Sequence, residues 1–117
     1  MSDGPFRRGD VVWHPAPFKP PPKERPFLVL SDHESHPFHG TEYAVVGLTR
    51  TSRPRTIRLD DQSWDLGNPG SDSFASSWYV FTLKHADITR PKGALTREAT
   101  GEVATAVALT FGVDTFG

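Results

Sequence analysis

Alternation of apolar and polar residues is clearest between Glu42 and Thr51, which the pattern predicts as a strand. At period two, Tyr43, Val45, Gly47 and Thr49 fall on one face, and Ala44, Val46 and Leu48 on the other. An earlier strand is predicted over Asp10–His14, where Val-Val-Trp is β-prone. Phe27–Ser31 is nearly all apolar, the pattern of a strand buried on both faces. Between them, Pro15–Glu24 holds five prolines and two lysines. Proline has no amide to give to a ladder, so this stretch is a loop. Asp32–Thr41 is a His-rich loop, and Arg55–Leu59 a short fourth strand after a turn at Ser52-Arg53-Pro54. Asp60–Ser73 reads as an ordered polar loop, and Ser77–Leu83 as a fifth strand. Arg90-Pro91-Lys92-Gly93 has the composition of a turn.

The tail switches to helical spacing. Leu95, Ala99, Val103, Ala106 and Val107 form one stripe, Thr96 is a suitable N-cap, and Glu98 suits the first turn. Gly101 weakens this helix by roughly 1 kcal/mol relative to alanine, and Gly112 stops it. Short strands followed by one helix predict a mainly β fold, a strongly bent sheet or small barrel with the helix packed on it. An arginine at the mouth of the second strand (Arg25) and a threonine ending the third (Thr49) can then meet at one rim. Such a pair suits a phosphate.

A chain of 117 residues suits a single domain spanning 1–117. There is no cysteine, so neither disulfides nor thiolate metal sites are expected, which fits a cytoplasmic protein. Met-Ser-Asp-Gly-Pro has neither the charged nor the apolar region of a signal peptide. No apolar run approaches the roughly 20 residues of a membrane span. A net charge of −1 means that any anion binding is local. The local candidate is Arg50, Arg53, Arg55 and Arg58, which Lys19 and Lys23 can extend, although Asp60 and Asp61 offset part of it. Trp13 and Trp78, in strands, are expected in the core or at a dimer interface. Phe18 and Phe38, in loops, are better candidates for base stacking.

Three stretches in order, Gly9-Asp10-Val11-Val12-Trp13, Arg25-Pro26-Phe27-Leu28-Val29-Leu30-Ser31 and Ala44-Val45-Val46-Gly47-Leu48-Thr49, resemble the MazF/PemK (CcdB-like) toxin family. The region Trp78–Leu83 and the closing helix match in position. His36-Pro37-Phe38-His39-Gly40 and Lys84-His85-Ala86-Asp87-Ile88 look like a haloarchaeal branch, though the chain lacks the strong acidity of salt-adapted proteins. The resemblance implies an SH3-like barrel with a C-terminal helix, and a homodimer paired with a cognate antitoxin. It also implies cleavage of single-stranded RNA without a metal or other cofactor. It carries over two catalytic positions, Arg25 and Thr49.

In that chemistry the substrate's 2′-hydroxyl is the nucleophile. Arg25 offers a planar fork to two phosphate oxygens but is a poor proton shuttle. Thr49 can give one hydrogen bond. His36, His39 and His85 are candidates for the missing proton transfer or for RNA contact, because histidine titrates near neutrality. Equally, they and His33 can be ordinary solvated loop residues, or metal ligands, although a loop does not align imidazoles and cysteine is lacking. Two other functions fit the fold: a non-catalytic SH3-like module binding nucleic acid or protein, and a gyrase-directed toxin of the CcdB type. The pairing of Arg25 with Thr49 favours the nuclease.

Overall fold

The computed structural model of the protein describes residues 5–16, 23–67 and 73–113. Among them are seven strands and one α-helix: β1 (Asp10–Pro15), β2 (Glu24–Val29), β3 (Glu42–Thr49), β4 (Ile57–Leu59), β5 (Trp64–Leu66), β6 (Ser73–Lys84), β7 (Arg90–Leu95) and α1 (Arg97–Thr110). All the pairings are antiparallel, in the order β4-β6-β3-β2-β1-β7-β5. The outermost two, β4 and β5, are neighbours in sequence, joined by a 3-10 turn at Asp61–Ser63. The sheet therefore bends round into a nearly closed barrel. The Asp60 carboxylate caps that turn by accepting from the amides of Gln62 and Ser63.

Alternate residues of the central strands feed two apolar clusters. Val11, Leu28, Val46 and Leu48 join Leu59, Trp64, Ala75 and Leu95 in one, and Ala99 and Val103 of α1 cover it. Val12, Phe27, Val29, Tyr43 and Val45 join Leu83 in the other. This is why β2 reads as a continuous apolar run: both its faces are buried. The two-face pattern expected for β3 holds. Ala99 and Val103 are buried as the helical stripe requires, with Val107 packed at its margin.

The helix begins where expected. The Thr96 hydroxyl accepts from the amide of Ala99 at 3.1 Å. Thr96→Ala is expected to lower stability by about 1 kcal/mol, read as the shift in a urea-unfolding midpoint.

Several elements differ from the sequence expectation. β2 starts at Glu24, so Arg25 and Pro26 lie inside the strand. The Asp60–Ser73 loop contains the 3-10 turn and β5. β6 begins at Ser73, and the presumed turn at Arg90–Gly93 is the start of β7. Proline is tolerated there because the β1–β7 register shifts between Val11 and Val12, a bulge opposite Pro91 and Gly93. Neither Trp13 nor Trp78 is in the core: Trp13 is half-buried and Trp78 is 38% exposed.

Candidate RNA-binding cleft

Strand register builds this site. β2 and β3 pair Phe27 with Gly47, and continuing that register by two residues sets Arg25 opposite Thr49. Arg25 is exposed, and among the described residues nothing pairs with its guanidinium. The Thr49 hydroxyl oxygen accepts from the amide of Thr51 at 3.1 Å, which leaves its proton free to be donated outward.

The opposite wall comes from an irregularity in β6. Val46 pairs with Val80, but Leu48 pairs with Ala75, so Ser76–Tyr79 lie where β3 has only Gly47. This bulge turns Trp78 and Tyr79 outward. The Tyr79 ring lies against Gly47, where an added Cβ would stand 2.7 Å from Cδ2 and push the ring aside. The Arg53 guanidinium carbon stands 5.5 Å from the Trp78 ring centre. Arg25, Thr49, Arg53, Ser76, Trp78 and Tyr79 thus line a hollow of about 370 Å³.

A second hollow of about 330 Å³ lies on the other side of the Arg25–Thr49 pair. The two share Arg25, Pro26, Leu48, Thr49 and Thr51, so together they form one trough. The second adds Trp13, Lys23, Glu24, Arg50 and Lys92. Lys92 Nζ lies 4.8 Å from the Trp13 ring centre and 5.9 Å from that of Trp64, while Arg90 stands 5.0 Å from Trp13. Burial, reinforced by Arg50 and Arg90, pushes the Lys92 pKa below that of an ordinary lysine. Glu24 is the sole carboxylate in the trough walls among the described residues. It accepts a 2.9 Å hydrogen bond from Arg90, which with Thr89 holds its pKa below the usual carboxylate range. The trough is therefore strongly cationic.

The other candidate residues fall in different places. Lys19 and Phe18 lie outside the described residues. Arg50, Arg53 and Lys23 line the trough. Arg55, exposed and at φ 70°, lines neither hollow. Arg58 borders a separate hollow with Asp60, Glu98 and Glu102. Phe38 is 63% exposed and also lines neither half.

The candidate histidines His36, His39 and His85 gather at the far end of β3, whereas His14 in β1 pairs with Arg25. His39 Nε2 is 2.7 Å from the Phe6 carbonyl oxygen, and His85 Nδ1 is 2.7 Å from the Tyr43 hydroxyl. His36 Nε2 is 3.8 Å from Glu42. Tyr43 is six residues before Thr49, roughly 20 Å along a strand, so within one chain these imidazoles are not brought to Arg25. Burial above all raises the Tyr43 pKa, keeping its phenol neutral. No group of three or more His, Cys, Asp or Glu able to hold a metal occurs among the described residues.

Sequence reasoning missed Lys92, Trp13, Ser76, Trp78 and Tyr79 as parts of the site. The available signals were two cations flanking Pro91, and two adjacent aromatics in a strand that ought to alternate.

Comparison with known proteins gives a consistent picture. The sequence pattern of the PemK-like, MazF-like toxins of type II toxin–antitoxin systems matches residues 7–111. Among curated proteins, none matches the chain. The structure is similar to that of the Mycobacterium tuberculosis toxin MazF-mt6, at 25% identity and TM-score 0.65, over 88% of this chain and 98% of that one. A mycobacterial endoribonuclease in complex with its cognate antitoxin matches at 17% identity and TM-score 0.71, over 93% of this chain and 95% of that one. MazF from Deinococcus radiodurans matches at 15% identity and TM-score 0.72, over 93% and 98% of the two chains. The last two likenesses concern the fold.

Proposed function

We propose that this chain, which belongs to the PemK-like, MazF-like toxin family of type II toxin–antitoxin systems, is a metal-independent endoribonuclease that cleaves single-stranded RNA. The observation that carries the reading is Arg25 opposite Thr49 in the middle of a cationic trough with an aromatic wall. Arginine binds two phosphate oxygens through its fork, and fixed donors stabilise the charge that grows on the phosphorane. Thr49 gives a further hydrogen bond, and its branched Cβ keeps the hydroxyl in place. Arg50, Arg53 and Lys23 attract the flanking phosphates, and Trp78 and Tyr79 offer faces on which unpaired bases stack. The 2′-oxygen attacks phosphorus, the bond to the 5′-oxygen breaks, and a 2′,3′-cyclic phosphate and a 5′-hydroxyl result.

Inhibition by a cognate antitoxin fits the same surface. An acidic, initially disordered segment lying in the trough competes with RNA for the same cations. The active form in this reading is a cytoplasmic homodimer. Among the described residues no helix is long and apolar enough to cross a membrane.

The experiment is incubation of the pure protein with end-labelled RNA in EDTA. Cleavage is expected to persist and to leave cyclic phosphate ends. Activity lost on chelation and restored by a divalent ion would reject the mechanism, and RNA left intact under both conditions would reject the enzyme.

A further inference from the structure

RNA cleavage by the 2′-hydroxyl needs a proton for the departing 5′-oxygen, and the residues assigned so far supply none. The guanidinium groups of Arg25, Arg50 and Arg53 lose a proton too reluctantly. Aliphatic hydroxyls such as that of Thr49 are weaker acids still. Glu24 is held ionised by Arg90, so it has no proton to give. The imidazoles of His36, His39 and His85 lie at the far end of β3 within one chain, and His14, although it pairs with Arg25 in the β1–β2 register, turns its Nδ1 to the Pro15 carbonyl and lines neither hollow.

Two lysines line the trough. Lys23 is exposed. Lys92 is held: its ammonium lies 4.8 Å from the Trp13 ring centre and 5.9 Å from that of Trp64, and it lines the same hollow as Arg25 and Thr49. The β7 bulge fixes the backbone beneath it.

Resting on the nuclease reading above, we propose that Lys92 is the general acid of this site, its ammonium protonating the 5′-oxygen as that oxygen leaves phosphorus. The step balances. The 2′-hydroxyl proton passes to water or a buffer base, the P–O2′ bond forms, and the P–O5′ bond breaks. The ammonium gives one proton to the 5′-oxygen, and the resulting amine is reprotonated from solvent.

The surroundings favour this role. The charged groups facing Lys92 are Arg90 from its own strand, Arg50 after β3, Lys23 just before β2, and Glu24 and Arg25 from β2. Glu24 is occupied by Arg90, so the balance around the ammonium is cationic. Partial burial acts in the same direction, and both make Lys92 a stronger acid than a solvated lysine. An ammonium that holds its proton less tightly is the better donor to a departing oxyanion.

The test compares two RNA oligonucleotides carrying a cleavage site mapped with the wild-type protein. One is natural, and in the other sulfur replaces the 5′-oxygen at the scissile phosphate. A thiolate leaves without being protonated, so general acid catalysis has nothing to add. Lys92→Ala is expected to lose about 100-fold on the oxygen substrate and to stay within a few-fold of wild type on the sulfur one. Lys92→Arg keeps a cation over Trp13 but holds its protons too tightly to release one, and it is expected to behave in the same way. Equal losses on both substrates, or an oxygen rate for Lys92→Arg equal to wild type, would overturn the assignment. Arg25→Ala should lose on both substrates. If it does, the nuclease reading stands even where Lys92 fails, whereas a wild-type protein that cleaves no RNA, so that no site can be mapped, rejects the two together.

Discussion

Arg25→Lys is expected to slow RNA cleavage by about 10²- to 10³-fold, the usual loss for one preorganised donor at a developing anion. Lysine keeps the charge but not the fork. The Arg25 side chain is exposed and makes no hydrogen bond or ion pair among the described residues. Its replacement therefore leaves the fold intact, and the whole effect falls on the substrate. The β2–β3 register restrains where it reaches, since the strand position opposite Thr49 is fixed by Phe27 packing in the second apolar cluster. The measurement is kcat/KM on a mapped RNA, with circular dichroism to verify folding. A well-folded Arg25→Ala protein cleaving at the wild-type rate would remove this residue from the mechanism.

The largest expected effect on stability is at Gly93. A Cβ there would overlap the carbonyl oxygen of Leu66 and lie 3.2 Å from its carbonyl carbon and 3.3 Å from Cα of Gly67. These are backbone atoms, so no side-chain rotation relieves the overlap. β5 must move away from β7, giving up the pairs Trp64↔Leu95 and Leu66↔Ala94. Gly93→Ala should cost about 3 kcal/mol, the upper end for overpacking a tight site. Gly101→Ala is the contrasting control: nothing lies within 4 Å of an added Cβ, and the helix should gain about 1 kcal/mol. Urea-unfolding midpoints for the two variants should move in opposite directions. An unchanged midpoint for Gly93→Ala would refute the close approach.

What the sequence disclosed, and what it hid, follows from how local each signal is. β3 declares itself through period two, and α1 through its stripe and the Thr96 cap. Arg25 and Thr49 could be picked out as candidates because each adjoins the apolar run of its strand. Lys92 was hidden because Pro91 and Gly93 carry the composition of a turn. Their role as a bulge exists only once β1 supplies the partner. β5 was hidden for a similar reason: three residues are too few for a pattern, and the 3-10 turn before them depends on a side-chain cap. The β6 bulge cannot be read from its own residues, since Trp78 and Tyr79 are displaced by a change of register against β3. The histidine loop shows the limit of spacing alone. Titratable residues at regular spacing suggest chemistry, while their hydrogen bonds to Phe6 and Tyr43 tie the start of the described chain to β3.

The position of β1 has a consequence for synthesis. This strand pairs with β2, which follows closely, and with β7, where Asp10 meets Ala94. A chain emerging from the ribosome can form the β1–β2–β3 meander early, from contacts close in sequence. It cannot supply Lys92 to the trough, or cover the first apolar cluster with Ala99 and Val103, until its last third has been translated. A nascent chain therefore carries Arg25 and Thr49 on an unfinished sheet with one wall missing. In the nuclease reading, the complete trough exists only once the last third of the chain has been made.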